Sequence, residues 1–154
     1  MTKILFVCLG NICRSAMAEG VLGKIAAARG LDVEIDSAGT SHWHIGEAPD
    51  GRAQTAALAR GIDLSTQRAR QIAPDDFEQF DLVLAMDIKN LEKLKGQTGT
   101  KHAHKLAQFL DHAPQTGQRE VPDPYYGGPD GFENVLVLIE QASSGLADQL
   151  LAKG

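Results

Sequence analysis

The chain opens with a short apolar run, a tight turn and a helical pattern, in that order. Ile4-Leu5-Phe6-Val7 is typical of a buried strand, and Gly10 and Asn11 interrupt it. Apolar residues then return at helical spacing between Met17 and Ala28, followed by a glycine that favours a helix end. A strand joined to a helix by a short loop is the first half of a βαβ unit, so the pattern indicates a largely parallel sheet.

The same alternation continues along the chain. Three further strands are predicted, at 32–35, 82–86 and 105–110. Three further helices are predicted, at 50–60, 87–96 and 132–150, the last with a weak stretch at 143–145. We therefore expect an α/β fold in which residues 1–154 form a single three-layer domain, with a short parallel sheet of about four strands and helices on both faces.

Composition and charge exclude several classes of protein. The 154 residues include 15 basic and 20 acidic side chains, a net charge of −5, so the broad positive field of a nucleic-acid-binding protein is missing. The sequence has no apolar run long enough to span a bilayer, which predicts no membrane insertion. The apolar stretch near the N-terminus is too short for a secretory signal, so we expect a cytoplasmic protein.

Only two cysteines occur, and both lie in the first loop, as Cys8 and Cys13. Two thiols exclude a disulfide scaffold, and in a reducing compartment they indicate reactivity or metal binding. Metal is disfavoured because the pair lacks Cys-x-x-Cys spacing and has no histidine nearby in sequence. The two His-x-His pairs, at 42–44 and 102–104, have no carboxylate or thiol partners at ligand spacing, so we expect surface residues and no metal site.

The first loop has the composition of a phosphate-binding loop after the first strand. Backbone N–H groups at a helix start attract anions, and Gly10 and Asn11 tolerate the positive φ that lets the loop curl inward. Arg14 would hold two phosphate oxygens, and Cys8 would lie at the base, where these donors favour a nucleophilic thiolate. Ser15 would donate a hydrogen bond to that thiolate. An inert buried cysteine is the alternative, but the glycine-asparagine turn and the arginine favour catalysis.

A long segment rich in proline and glycine, at 111–131, is predicted to reach the same edge of the sheet. Its Asp123 is either a solvated turn residue or the general acid that a departing ester oxygen needs. Trp43 is either a core residue or an exposed ring that stacks on an aromatic substrate. Tyr125 and Tyr126 follow the same reasoning, and phosphorylation of either is a weaker hypothesis.

Cys8-Leu9-Gly10-Asn11-Ile12-Cys13-Arg14-Ser15 is similar to the Cys-x5-Arg-Ser loop of the low-molecular-weight protein tyrosine phosphatases. Further marks of that family occur along nearly the whole chain, at Asp36-Ser37-Ala38-Gly39-Thr40, Trp43, Met86-Asp87, Asn90 and Asp123-Pro124-Tyr125-Tyr126. The Cys-x5-Arg spacing alone is shared by unrelated phosphatases. A loop this close to the N-terminus, with Asp-Pro-Tyr-Tyr far downstream, is specific to this family.

The resemblance implies a role for each matching residue. Cys8 would attack phosphorus and form a cysteinyl-phosphate, Arg14 would clamp the phosphate, and Asp123 would act as general acid and then as base. The residues that support the loop would be Asn11, Ser15 and Ser37. The residues that bind the phosphate or the substrate would be Leu9, Gly10, Asn11, Ile12, Cys13, Ser15, Trp43 and Tyr125.

The resemblance also implies an activity, that of a cofactor-free protein tyrosine phosphatase. Its substrate would be a phosphotyrosine-containing protein or a small aryl phosphate, its inhibitors inorganic phosphate and vanadate-like anions, and its assembly state a monomer or weak dimer. Gln67 stands where the family often has a histidine near the loop asparagine, and its amide can also hydrogen-bond. Cys8 and Cys13 lie close enough on a curled loop to approach disulfide distance, so Cys13 is expected to trap an oxidised Cys8 and make the enzyme redox-sensitive.

Three other functions share parts of this pattern. Arginine phosphatases on the same scaffold tend to carry threonine where Ile12 stands, and an apolar residue suits an aryl ester better. A thioredoxin-linked arsenate reductase relays a disulfide to cysteines outside the loop, and this chain has none. A flavodoxin-like module that binds phosphate or flavin phosphate needs neither Cys8 nor Asp123, so assays of those two positions distinguish it.

Overall fold

The computed structural model describes residues 1–125 and 129–153. The strands are β1 (Thr2–Cys8), β2 (Val33–Gly39), β3 (Leu82–Ala85) and β4 (Leu106–Gln108). The helices are α1 (Arg14–Arg29), α2 (Gly51–Leu58), α3 (Asp76–Gln79), α4 (Ile88–Thr98) and α5 (Pro129–Lys153), with short 3-10 turns at Ala103–Lys105, Phe109–His112 and Pro114–Thr116. None of the helices in this part of the chain is both long and apolar enough to cross a membrane.

The four strands form one parallel sheet in the order β2-β1-β3-β4. Alternate residues of the central strand β1 point to opposite faces. Ile4 and Phe6 belong to a core shared with α1 and α5, whereas Leu5 and Val7 belong to a core shared with α3 and α4, and all four are completely buried. The predicted α/β class, the short parallel sheet and the helices on both faces are therefore confirmed.

Several predicted element ends are wrong, and the largest difference, of four residues, is at the end of β2. β2 continues past residue 35 to Gly39, which pairs with Cys8, so the two strands end side by side beneath the first loop. α4 does not end at Gly96 but runs to Thr98, and Gly99 follows with a φ of +63°. A glycine ends a helix where the backbone turns to positive φ, and that turn occurs at Gly99 rather than at Gly96.

Two further predictions change for reasons of packing. α5 is continuous through the stretch at 143–145, where Gly145 lets the helix approach the carbonyl oxygen of His112, which a Cβ would overlap. The sequence also predicts a solvated, acidic helix start at 75–78. That prediction is wrong for Asp76, which is 8% exposed and whose carboxylate binds the guanidinium of Arg70.

Candidate active site

The loop between β1 and α1 lies at the carboxyl edge of the sheet and curls around the thiol of Cys8. Its curvature depends on Asn11, whose φ of +58° is the one positive value among the non-glycine residues that the structure describes. The backbone N–H of Asn11 donates to Cys8 Sγ at 3.3 Å. Cys8 is 3% exposed, so its sulfur lies at the base of the loop, as the sequence predicts.

The side chain of Asn11 sets the direction of the hydrogen bonds around this thiol. Its Oδ1 accepts from the backbone N–H of Arg70 at 3.0 Å, which fixes the orientation of the amide. Its Nδ2 donates to Ser15 Oγ at 2.8 Å and to Ser37 Oγ at 2.9 Å. Both hydroxyl oxygens therefore accept from Asn11, and each has its single proton left for another partner.

Each of the two serine protons has one partner nearby. Ser37 donates to Glu19 Oε1 at 2.6 Å, and Ser15 Oγ lies 3.0 Å from Cys8 Sγ. Ser15 already accepts from Asn11, so its proton is available for the sulfur, and toward a thiolate, which can only accept, Ser15 is the donor. Cys8 thus receives hydrogen bonds from a hydroxyl and a backbone amide, an arrangement that stabilises a thiolate. Burial raises the pKa of Glu19, although the hydrogen bond from Ser37 opposes that change.

The guanidinium of Arg14 is buried beside the loop, in the first turn of α1. It is 3% exposed, and its Nη1 donates to Asp87 Oδ2 at 2.7 Å and to the carbonyl oxygen of Val121 at 3.0 Å. Burial opposes the positive charge, but Cys8 and Asp87 outweigh that effect and raise the pKa of Arg14, so it stays a cation. Asp87 also caps α4, because its Oδ1 accepts from the N–H of Asn90 at 2.7 Å.

Asp123 approaches the loop from the segment that precedes α5. Its Oδ2 lies 3.7 Å from Nη2 of Arg14, and its side chain is 40% exposed. Its Oδ1 accepts from the backbone N–H of Tyr125 at 3.0 Å. The carboxylate thus faces both the loop and solvent, which suits a group that exchanges protons. Tyr126, the last residue of the Asp-Pro-Tyr-Tyr run, lies outside the described residues.

One pocket brings most of the predicted site residues together. Its walls are formed by Cys8, Leu9, Gly10, Ile12, Cys13, Arg14, Trp43, His44, Asp123 and Tyr125. The side chains of Asn11, Ser15 and Ser37 stand behind the loop, where they hydrogen-bond one another. Trp43 is 64% exposed and Tyr125 is 36% exposed, so both rings are accessible at the mouth of the pocket.

Two residues of this site, His44 and Arg70, are not predicted from the sequence. His44 lines the pocket, although the His-x-His pattern indicates only a surface pair. Arg70 orients Asn11 through a backbone N–H, for which no sequence pattern exists. Gln67, which the resemblance places where the family often has a histidine near the loop asparagine, donates to the carbonyl oxygen of Ala16 at 3.1 Å.

Cys13 is the residue before α1 and is 5% exposed. Burial raises the pKa of its thiol strongly, and the charges of Asp50, Cys8 and Asp123 act in the same direction. Cys13 is therefore a neutral thiol at physiological pH, and neither cysteine forms a disulfide. Among the described residues, no three histidine, cysteine or acidic side chains cluster closely enough to hold a metal ion.

Comparisons with known proteins agree with this architecture. The family model for low molecular weight phosphotyrosine protein phosphatase matches residues 3–154. The low molecular weight protein-tyrosine-phosphatase YfkJ of Bacillus subtilis is 40% identical over 154 residues, 99% of this chain and 95% of that protein. The structure of a protein tyrosine phosphatase from Entamoeba histolytica matches with a TM-score of 0.95 and 36% identity, over 99% of each chain. A Drosophila arginine phosphatase matches with a TM-score of 0.90 and 31% identity, over 96% of this chain and 97% of that one.

The fold and the loop together define an α/β enzyme of the phosphatase class. The chain belongs to the low molecular weight phosphotyrosine protein phosphatase family, since the family model and the relatives extend over nearly its full length. Both tyrosine and arginine phosphatases share this fold. The substrate of this chain therefore has to be argued from its own pocket.

Proposed function

We propose that the protein hydrolyses phosphotyrosine and aryl phosphate monoesters through a cysteinyl-phosphate intermediate. The observation that carries this proposal is the pair of donors, Ser15 and the backbone N–H of Asn11, that converge on Cys8 Sγ. A sulfur held in this way is a good nucleophile and, later in the cycle, a good leaving group. Arg14 beside it supplies a fixed cation for the phosphate oxygens.

In the first step, the phosphate dianion binds to the backbone N–H groups of the loop and to Arg14. The thiolate of Cys8 attacks phosphorus, so an S–P bond forms while the ester P–O bond breaks. The electron pair of the broken bond leaves with the oxygen, which takes a proton from Asp123. Cys8, Arg14 and Asp123 all line one pocket, which is the arrangement that this step needs.

In the second step, water attacks the cysteinyl-phosphate. The carboxylate of Asp123 takes a proton from the water, a P–O bond forms and the S–P bond breaks. The electron pair returns to the sulfur, where Ser15 and Asn11 stabilise the charge. Inorganic phosphate is the product, so phosphate and vanadate-like anions inhibit by occupying the same loop. The cycle balances without any cofactor.

The apolar wall of the pocket favours an aromatic ester. Leu9, Ile12, Trp43 and Tyr125 line the space in front of the loop. Hydrolysis of phosphoarginine is the second candidate, because a Drosophila arginine phosphatase shares the fold. Ile12 offers no hydrogen bond to a polar phosphoramidate group, whereas it packs well against a ring. Arsenate reduction with a disulfide relay needs a cysteine outside the loop, and the sequence has only Cys8 and Cys13.

We also propose that residues 1–154 act as one domain, as a monomer or weak dimer in the cytoplasm. Cys13 is proposed as the redox partner of Cys8. Both cysteines line the same pocket, which supports this pairing.

The decisive experiment is a turnover assay with a phosphotyrosine peptide and a phosphoarginine peptide of matched sequence, each with and without EDTA. We expect hydrolysis of the phosphotyrosine peptide, unchanged by EDTA. Cys8→Ser is expected to abolish turnover while phosphate binding, measured by calorimetry, remains, because the loop donors and Arg14 do not depend on the sulfur. Arg29→Gln, which removes an exposed ion pair with Asp148 away from the loop, serves as the control and retains turnover. Preference for phosphoarginine, or turnover by Cys8→Ser, would contradict the proposal.

A further inference from the structure

Arg52, in the first turn of α2, connects the phosphate-binding loop to the aromatic wall of the pocket. The connection begins at Asp50, the residue that precedes α2. Asp50 donates its backbone N–H to the carbonyl oxygen of Ile12 at 2.8 Å. Because Ile12 belongs to the loop, this hydrogen bond fixes the start of α2 relative to the phosphate site.

The carboxylate of Asp50 orients Arg52. Its Oδ1 accepts from the backbone N–H of Arg52 at 2.8 Å and from Nε at 3.0 Å, and its Oδ2 accepts from Nη2 at 3.0 Å. The first bond caps the helix, and the other two form the bidentate pair that holds a guanidinium plane in one orientation. The Asp50 side chain is only 12% exposed, whereas that of Arg52 is 47% exposed. A fixed carboxylate therefore directs an exposed cation.

The guanidinium held in this way lies against two aromatic rings. Its Cζ is 5.4 Å from the ring centroid of Tyr125 and 4.8 Å from that of Phe132. Both distances lie within the range of about 6 Å for a cation–π interaction. Phe132 is 1% exposed and belongs to α5, whereas Tyr125 lies in a turn outside the helices and strands. Arg52 thus links a ring of the core to a ring of the pocket.

We propose that Arg52 positions Tyr125 and thereby sets the preference of the pocket for aromatic over aliphatic phosphate compounds. The inference rests on the proposed function, since it takes the pocket of Cys8 as the phosphate site. Arg52 is not among the described residues that line this pocket, whereas Tyr125 is. Arg52 therefore acts on the pocket through Tyr125. The phosphate group is bound by the loop and Arg14, so loss of Arg52 affects recognition of the ring and not of the phosphate.

The test compares phenylphosphonate, which carries a ring, with methylphosphonate, which does not, by isothermal titration calorimetry on the full chain. Arg52→Gln removes the cation and the bidentate pair but leaves Asp50 in place. We expect phenylphosphonate to bind about 2- to 5-fold more weakly, the range of an exposed cation–π contact, while methylphosphonate binding stays unchanged. Arg29→Gln, which removes the exposed ion pair of Arg29 with Asp148 at the far end of α1, is the matched control.

A double-mutant cycle separates positioning from a general effect on the protein. In a Tyr125→Ala background, Arg52→Gln is expected to have no further effect on the ratio of the two affinities. An equal effect in both backgrounds would overturn the inference, as would equal weakening of both phosphonates or no change in either. Failure of the proposed function gives a different result. In that case neither phosphonate competes with inorganic phosphate for the wild-type protein, and both proposals are wrong.

Discussion

Arg14 donates a hydrogen bond of 2.7 Å to Asp87, a residue that caps a different helix, α4. The same nitrogen of Arg14 reaches the carbonyl oxygen of Val121 at 3.0 Å. Asp87 and Val121, which lie on segments far from Arg14 in sequence, therefore fix the Nη1 side of the guanidinium. The orientation of Arg14 toward the phosphate loop is set by these contacts rather than by α1 alone.

Asp87→Asn tests how much this orientation contributes to catalysis. The amide preserves the shape and an oxygen for the helix cap, but it weakens the charge-assisted bond to Arg14. Hydrogen bonds to charged groups contribute about 1.5–3 kcal/mol, so we expect kcat/KM for aryl phosphates to fall by roughly tenfold or more. Glu120→Gln is the control, because Glu120 is an exposed acid near the same helix start. Equal rates in the two variants would show that Asp87 only caps α4.

Asp123→Asn tests whether Asp123 is the general acid, because the loss of rate in this variant should then depend on the leaving group. A nitrophenol leaves readily as an anion, whereas tyrosine, with a side-chain pKa of about 10, needs a proton. We expect a loss of about 10²–10⁴-fold for phosphotyrosine and much less for activated aryl phosphates. A plot of log kcat/KM against leaving-group pKa is therefore expected to be steeper for the variant. Asp130→Asn, which alters a nearby acid in α5, is the control and is expected to have the slope of the wild type. Parallel lines would assign the acid to another residue, with Asp87 the next candidate.

The presence of Cys13 beside Cys8 leads us to expect that enzyme activity recovers after oxidation. Peroxide oxidises the Cys8 thiolate to a sulfenic acid, and the Cys13 thiol then forms a disulfide with release of water. We expect a thiol reductant to restore activity in the wild type and to restore much less in Cys13→Ser. Because the pKa of Cys13 is raised, its thiolate is scarce at neutral pH, and the disulfide is expected to form faster as pH rises. Equal recovery in both proteins would rule out a protective role.

Replacement of two helical glycines by alanine is expected to change stability in opposite directions. At Gly145 a Cβ would overlap the carbonyl oxygen of His112, so Gly145→Ala is expected to lower the free energy of unfolding by about 1–3 kcal/mol. At Gly96 nothing lies within 4 Å of a Cβ, so Gly96→Ala is expected to raise it by up to about 1 kcal/mol. Urea unfolding measures both changes. Stabilisation by both substitutions would contradict the close approach of α5 to His112.

The sequence predicts the base of the site well because its parts are neighbours in the chain. An apolar run, a glycine-asparagine turn and the spacing from Cys8 to Arg14 suffice for the strand, the loop and the helix. The supports of the loop are harder to predict. Asn11 is oriented by the backbone N–H of Arg70, and every residue but proline carries such a group. Likewise, only the fold shows that Asp76 is buried, because its partner Arg70 lies six residues earlier in irregular backbone, where no helical or strand spacing predicts their contact.

Cys8 and Arg14 belong to one unbroken segment whose strand is completely buried at residues 4–7, whereas Asp123 comes from a distant, exposed part of the chain. Local opening of a folded protein begins where few apolar contacts hold the backbone. A fluctuation of Asp123 that leaves the buried Val121 in contact with Arg14 therefore leaves the anion-binding loop assembled, and loss of the loop requires opening of the central strand. The loop that captures the anion and the segment that delivers the proton thus differ in local stability. We expect mild destabilisation of the protein to abolish turnover before it abolishes anion binding.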